Sequence, residues 1–334
     1  MRLMNVASAR TTLAAVLAVG ALSLAACGSD TATPGVQGDD GLTTLRVTTV
    51  AGVTSLPIKV AMEEGYFEKH GVKVELTEGV DVAAWQAALG KQFDISFATS
   101  GPYVMSVAKG LDNTLINQTS SASDDYITTT FATTEKLTDL STLRGTKIGV
   151  AQLTGATIDS MKYLLADAGV KATEYELVQM PYSAMLDNMK AGNIDAALTA
   201  GVYFSTAEAA GLKLWDKDVT VAAHEAVTGG KVRTGSSTMY AANTKWVEAN
   251  PDLVNAWVDG VEEGIAHVES KEKESRGVLQ TWLKLPEKLA TDVQLPTYTT
   301  KVAADEIPAT WSVLQSTGTV KGEYPADKVK VYER

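Results

Sequence analysis

Three short stretches place hydroxyl and glycine residues at helix starts: Thr54-Ser55, Ser100-Gly101 and Thr154-Gly155-Ala156-Thr157. Such stretches can hold an anion or a polar group. The first turn of a helix leaves backbone N–H groups unpaired and carries the positive end of the dipole, and small residues let a ligand approach those amides. A plain N-cap uses the same residue types. What sets these apart is that each follows a strand-like run at an equivalent place in a repeated unit. One dipole end supplies only about 0.3–1 kcal/mol, or ~2 when partly buried, whereas micromolar binding needs about 8 kcal/mol. Side chains must therefore add most of the affinity. The candidates are Gln118, in an Asn-Gln-Thr-Ser-Ser stretch that reads as a loop, together with Tyr126, Tyr182 and Tyr203 just after Gly201. Tyrosine offers an apolar face and a polar tip, and partial burial in a core is the competing role for each. Trp85, inside an Ala-rich helical stretch, reads as packing. No arginine follows these loops closely, which departs from sites that clamp a carboxylate or sulfonate with a guanidinium.

Catalytic chemistry has little to stand on. His70, His224 and His267 are far apart with no metal-binding spacing, and Cys27 is the only cysteine. There is no G-x-S-x-G elbow, and Gly229-Gly230-Lys231 is followed by Val232 where a phosphate loop needs Ser or Thr. The chain is expected to be no enzyme and to need no metal or cofactor. A formal net charge of −11 argues against nucleic acid and anionic lipid surfaces as partners, though a local site can oppose the global sign.

Leu24-Ala25-Ala26-Cys27 ends an uncharged apolar run that follows Arg2 and Arg10. That layout is a secretory leader, and the run is short for a span of ~20 residues. Small residues before a lone cysteine resemble a bacterial lipobox. The resemblance implies a signal peptide over 1–26 and a lipid on Cys27, tethering an extracytoplasmic protein to the membrane. Residues 27–42, small and polar, are expected to form a flexible tether.

The elements that must position the helix starts come in two similar series. Leu45–Val50 reads as a strand, Ile58–His70 as a helix capped by Ser55 with Pro57 behind it, Val72–Leu76 as a strand, Asp81–Gly90 as a helix and Phe93–Ala98 as a strand. Thr146–Ala151, Ile158–Gly169, Tyr175–Met180, Ser183–Gly192 and Ile194–Thr199 repeat that order, and Gly192/Asp195 echo Gly90/Asp94. Asn250-Pro251 then opens a long helix with Leu253, Val254, Trp257, Val261 and Ile265 on one stripe. Tyr126–Thr133 and Ser236–Ala241 read as strands where the chain crosses between halves. Such units form α/β sheets that bind ligands at the carboxyl ends of their strands.

The segments "GYFEKHGVKV" (Gly65–Val74) and "LRGTKIGV" (Leu143–Val150), in that order of motifs, resemble the extracytoplasmic binding proteins of bacterial ABC importers. The closest resemblance is to the subfamily for aliphatic sulfonates, taurine, nitrate and thiamine-precursor pyrimidines. It implies an α/β periplasmic-binding-protein clamshell, each lobe a mixed sheet flanked by helices. Lobe one would comprise 43–131 and 238–334 and lobe two 132–237, with the ligand between them. It further implies a monomer that passes a small solute to a permease and its ATPase. Sulfonate or taurine-like ligands come first, then an aromatic carboxylate or pyrimidine; a sensor or surface-interaction lipoprotein is the reading from another class.

Overall fold

The computed structural model describes Gly38 and residues 41–334, and its first strand is β1 (Thr43–Thr49). The leader 1–26, Cys27 and almost all of the 27–42 tether lie outside the described residues.

After β1 come α1 (Leu56–Glu63), α2 (Tyr66–Lys69), β2 (Val72–Glu78), α3 (Val82–Ala88), β3 (Ile95–Ala98), α4 (Ser100–Ala108) and β4 (Asn113–Ala122). The expected single helix over 58–70 is broken in two. Gly65 sits at φ 72, a left-handed conformation that glycine adopts without strain and that no continuous helix contains. The second series is β5 (Thr129–Thr133), β6 (Lys147–Val150), α5 (Ala156–Asp167), β7 (Glu176–Gln179), α6 (Tyr182–Lys190), β8 (Ala196–Ala200), α7 (Phe204–Ala209), β9 (Lys213–Leu214) and α8 (Val219–Thr228). The chain returns through β10 (Gly235–Asn243), α9 (Thr244–Ala249), α10 (Pro251–Ser270), α11 (Glu272–Leu283), α12 (Glu287–Asp292), α13 (Glu306–Ser316) and β11 (Lys330–Val331).

Two mixed sheets result. The first has the order β11-β4-β10-β3-β1-β2 and the second β7-β6-β8-β5-β9. The repeat has a physical counterpart at its two aspartates. Asp94 Oδ2 accepts from the Arg46 N–H at 2.9 Å, and Asp195 Oδ2 accepts from the Lys147 N–H at 2.8 Å. Each carboxylate, just before the last strand of its unit, pins that strand to the first: Asp94 to the middle of β1 and Asp195 to the start of β6.

One face of the first sheet packs against α1, α2, α10 and α11, where Phe67 stacks on Trp257 with centroids 5.1 Å apart. The stripe expected on α10 is there: Val254, Trp257, Val261 and Ile265 are buried and Leu253 is half-buried. The opposite face packs against α4 and α13. In the second sheet successive residues point to opposite faces. Phe131 and Leu198 join the α5/α8 core, whereas Ala132 and Ala197 face α6 and α7. Helix α13 serves both lobes: Ile307, Trp311 and Leu314 belong to the first core and Val313 to the second.

Candidate ligand-binding cleft

Helix α4 starts at the carboxyl end of β3 in the first lobe, and α5 starts beyond β6 in the second. Neither N-cap residue, Thr99 or Gly155, caps its helix with a side chain. Gly155 holds φ 118, which would strain any residue with a Cβ. The two helix starts meet across the lobes. A Cβ added to Gly101 would lie 2.3 Å from the Cβ of Ala156, so only a glycine permits the contact.

Two positive helix ends therefore lie close together, an arrangement that favours a negative or acceptor group beside them. At α5 part of this field is already met. Asp159, 4 % exposed in the first turn, accepts a 2.9 Å hydrogen bond from the Thr319 hydroxyl. At α4 the first turn carries no acid. The hydroxyl of Ser100, a buried residue at its start, makes no hydrogen bond among the described residues, and neither do those of Thr54, Thr154 and Thr157. Beside the contact lies a cavity of about 340 Å³, lined by Gln86, Gly101, Met105, Lys109, Gly155 and Ala156. That size suits a small solute.

The other expected site residues fall in different places. Ser55 is fully buried, and its hydroxyl joins Thr49 (2.9 Å) and the Tyr240 phenol (3.2 Å) in a closed network. It starts its helix without a capping hydrogen bond. Thr54 gives its backbone carbonyl to the Thr119 hydroxyl at 2.6 Å. Gln118 is in strand β4, not a loop: Asn117, Gln118, Thr119 and Ser120 are all buried there. A run of polar residues hides a strand from periodicity, because side-chain hydrogen bonds rather than apolar alternation satisfy it. Both ends of the Gln118 amide are used, Nε2 donating to Ser121 Oγ at 3.2 Å and Oε1 accepting from the Ala303 N–H at 2.8 Å.

Tyr126 stands in the crossover between β4 and β5. Burial, with nearby Asp218 adding to it, pushes its phenol up to about 12; the hydroxyl makes no hydrogen bond among the described residues. Gly201 donates its N–H to Thr128 O at 2.9 Å and lines a second interlobe opening of about 760 Å³ with Phe204, Glu208, Lys288 and Val293. Tyr203 turns away from these groups. It stacks on Tyr182, centroids 5.6 Å apart and planes at 29°, beside a cavity within the second lobe. Trp85 is core, 8 % exposed.

All five described arginines are engaged elsewhere. Arg46 pairs with Asp94, Arg144 with Glu174, Arg233 with Asp124 and Glu225, Arg276 with Glu272, and Arg334 with Asp259 and Glu262. An anion in the cleft would be held by backbone amides and hydroxyls, with Lys109 the one cationic side chain lining the smaller cavity. Sequence patterns gave no sign of Lys109, which lies at the far end of α4. They equally missed Asp218, whose carboxylate caps α8 and accepts from the N–H groups of Thr128 and Thr129 at 2.9 and 3.0 Å. No cluster of His, Cys, Asp or Glu able to hold a metal ion occurs among the described residues, and none of their helices is long and apolar enough to cross a membrane.

The architecture matches that of known binding proteins. The periplasmic aliphatic sulphonate binding protein SsuA from Escherichia coli superposes with a TM-score of 0.68 at 18% identity, covering 85% of this chain and 96% of its own. The periplasmic nitrate-binding protein NrtA from Synechocystis PCC 6803 gives 0.57 at 13% identity, covering 86% of this chain and 84% of its own. At these identities the likeness is one of fold: an α/β fold of two mixed sheets flanked by helices. By sequence, a Haemophilus influenzae protein described as "Putative thiamine biosynthesis protein" is 25% identical over 215 residues, which cover 60% of this chain and 66% of that protein. The family described as NMT1/THI5 like matches residues 53–275, most of both lobes, and the chain belongs to that family.

Proposed function

We propose that this protein is the solute-binding component of an ABC import system. It captures a small polar or anionic organic molecule between its lobes and delivers it to a permease and its ATPase. The observation that carries this reading is the close approach of the starts of α4 and α5 at Gly101 and Ala156. It presents unpaired amides from two lobes to one small space and gives a bound anion contacts with both. A ligand can favour lobe closure only through contacts made better in the closed state, and an anion touching both helix starts would make contacts of that kind. Sulfonates of taurine size come first as ligands. A neutral pyrimidine is the second reading, supported by the Tyr126 phenol, which offers a ring and an unpaired hydroxyl at the crossover. Upstream, the lipobox at Cys27 would anchor the protein to the outer face of the cell membrane, as a monomer.

Thermal-shift measurements with taurine, an alkanesulfonate and an aminopyrimidine test the reading. A ligand at ~100 times its Kd stabilises by about 2.7 kcal/mol. Ser100→Ala and Thr157→Ala should each weaken a charged ligand by about 10- to 150-fold, the equivalent of ~1.5–3 kcal/mol per charge-assisted hydrogen bond. Affinity unchanged in both variants would leave these residues as simple helix starts. For the anchor, Cys27→Ala should abolish lipid labelling; a variant still partitioning with membranes as the wild type does would refute it.

A further inference from the structure

The cavity beside Tyr203 lies entirely in the second lobe, on the face of the sheet opposite α5 and α8. Its volume is about 360 Å³, well above the ~150 Å³ of an apolar cavity that takes up benzene. The floor is built from the small side chains of Ala132, Ala197 and Thr199 on β5 and β8, and the walls from Met185 and Met189 on α6 and Leu212. At the edge stand the stacked rings of Tyr182 and Tyr203. Thr199 is 5 % exposed, and its hydroxyl makes no hydrogen bond among the described residues. The hydroxyl is not sealed inside the protein: it lines open space and is free to meet a ligand. No cationic side chain lines the cavity, and its one charged group is Asp187 on an exposed position of α6.

We infer that this cavity is a second binding site, separate from the interlobe cleft, for a small neutral aromatic molecule carrying one hydroxyl or amino group. Thioethers and aromatic rings favour contact with a flat ring. The Thr199 hydroxyl satisfies the polar substituent, and the absence of a cation next to Asp187 turns away carboxylates and sulfonates. Every lining residue comes from the second lobe, so the site exists whether the lobes are open or closed.

Fluorine NMR with 4-fluorophenol and 4-fluorotoluene tests this on the intact protein, with methyl-labelled methionine reporting location. Saturable binding of 4-fluorophenol should shift the Met185 and Met189 methyl signals and leave that of Met105, which lines the interlobe cavity, in place. The phenol should bind about 3- to 10-fold more tightly than the toluene, the range of one neutral hydrogen bond, and Thr199→Val should erase that preference while keeping the shape. Ala197→Leu should fill the floor and weaken both probes at least tenfold. Should Ala197→Leu fail to fold, the Thr199→Val comparison decides alone. Absence of saturable binding, shifts at Met105 rather than at Met185 and Met189, or an unchanged phenol preference in Thr199→Val would each overturn the assignment.

Discussion

The carboxylate of Glu306 accepts two hydrogen bonds from Ser237, from its N–H at 3.1 Å and from its hydroxyl at 2.5 Å, and all of these groups are buried. Glu306 begins α13, the helix that contributes to both cores, and Ser237 lies just past the crossover from the second lobe into the first. The residue between, Ser236, has φ 48, a conformation that favours glycine. From the other side His224 on α8 bonds to Thr234 O at 2.7 Å and to the Thr310 hydroxyl at 3.0 Å. The return crossover is thus tied to α13 at two points, and its strained residue is held between them.

Glu306→Ala should therefore cost more than an ordinary helix-start substitution. It leaves the Ser237 N–H and hydroxyl buried without their acceptor, a loss of roughly 2–4 kcal/mol at about 1.5–3 kcal/mol per charge-assisted bond with partial relaxation. For a chain of this size that is about 4–15 °C in Tm, on ~2–4 °C per kcal/mol. Ser237→Ala, which removes one bond and keeps the other, should lose less. Equal melting temperatures for Glu306→Ala and the wild type would show that the crossover holds its shape without this carboxylate.

The two equivalent aspartates should respond unequally. Asp94 is buried and adds a guanidinium pair to its backbone bond, with Arg46 Nη2 2.6 Å from Oδ1, whereas Asp195 is exposed. Removing one partner of a buried pair costs ~3–5 kcal/mol, which the part-exposure of Arg46 reduces to about 2–4. Asp195→Ala forfeits a single exposed bond, about 1 kcal/mol. Urea denaturation of both variants measures the gap, and an equal loss would mean that the Arg46 pair adds nothing to the backbone bond.

That pair also shows what the sequence makes legible. Gly90/Asp94 and Gly192/Asp195 mark the repeat because a tight turn followed by a strand-pinning carboxylate needs those residue types at each location. The alternation of strands and helices, and the positions of the helix starts at Ser100 and Ala156, follow from apolar periodicity and small residues. What stayed hidden depends on long-range contact. β4 looks like a loop because its buried polar groups pair with residues more than a hundred positions away, such as Asn117 with the Trp257 indole at 2.8 Å. Ser55 has the sequence of a cap, but Tyr240, far along the chain, takes its hydroxyl into the core. Tyr203 follows Gly201, which lines an interlobe opening, and only the packing of the turn after β8 beside α6 brings its ring onto Tyr182 instead.

Alkaline pH should destabilise the fold through phenols that are held neutral in the native state and ionise more readily in the unfolded chain. Burial pushes the phenols of Tyr103, Tyr126 and Tyr240 each up to about 12; at Tyr240 hydrogen bonds with Ser55 and Thr49 pull in the opposite direction. In the unfolded chain a tyrosine ionises near ~10. A raised pKa in the folded state means that the neutral phenol is favoured there. The stability these groups contribute is therefore complete below pH ~10 and falls as pH rises towards ~12. Each contributes up to about 2–3 kcal/mol, at ~1.36 kcal/mol per unit. Urea unfolding at pH 9 and at pH 11 should show the decline, and Tyr240→Phe should shallow it by one tyrosine's share. An identical slope in Tyr240→Phe would contradict the burial argument.

The contact between Gly101 and Ala156 gives the most direct test of how the lobes meet. Gly101→Ala puts a Cβ 2.3 Å from that of Ala156, far inside ordinary contact, and both atoms sit on helix backbones that cannot rotate aside. The strain, about 1–3 kcal/mol for an overpacked contact, falls on the closed arrangement alone, because separating the helices relieves it. Each lobe should therefore keep its own stability while the closed arrangement loses population. Affinity for the cleft ligand should drop about 5- to 150-fold, and small-angle scattering of the ligand-free protein should show a larger radius of gyration. Deleting the opposing methyl is the decisive control: Gly101→Ala combined with Ala156→Gly removes the clash while leaving the new Cβ in place. Recovery of the wild-type scattering profile and of most of the affinity in the double variant would assign the effect to this one contact. If Gly101→Ala alone scatters and binds like the wild type, the two helix starts do not meet in the bound state, and the anion-holding role of their amides falls with that contact.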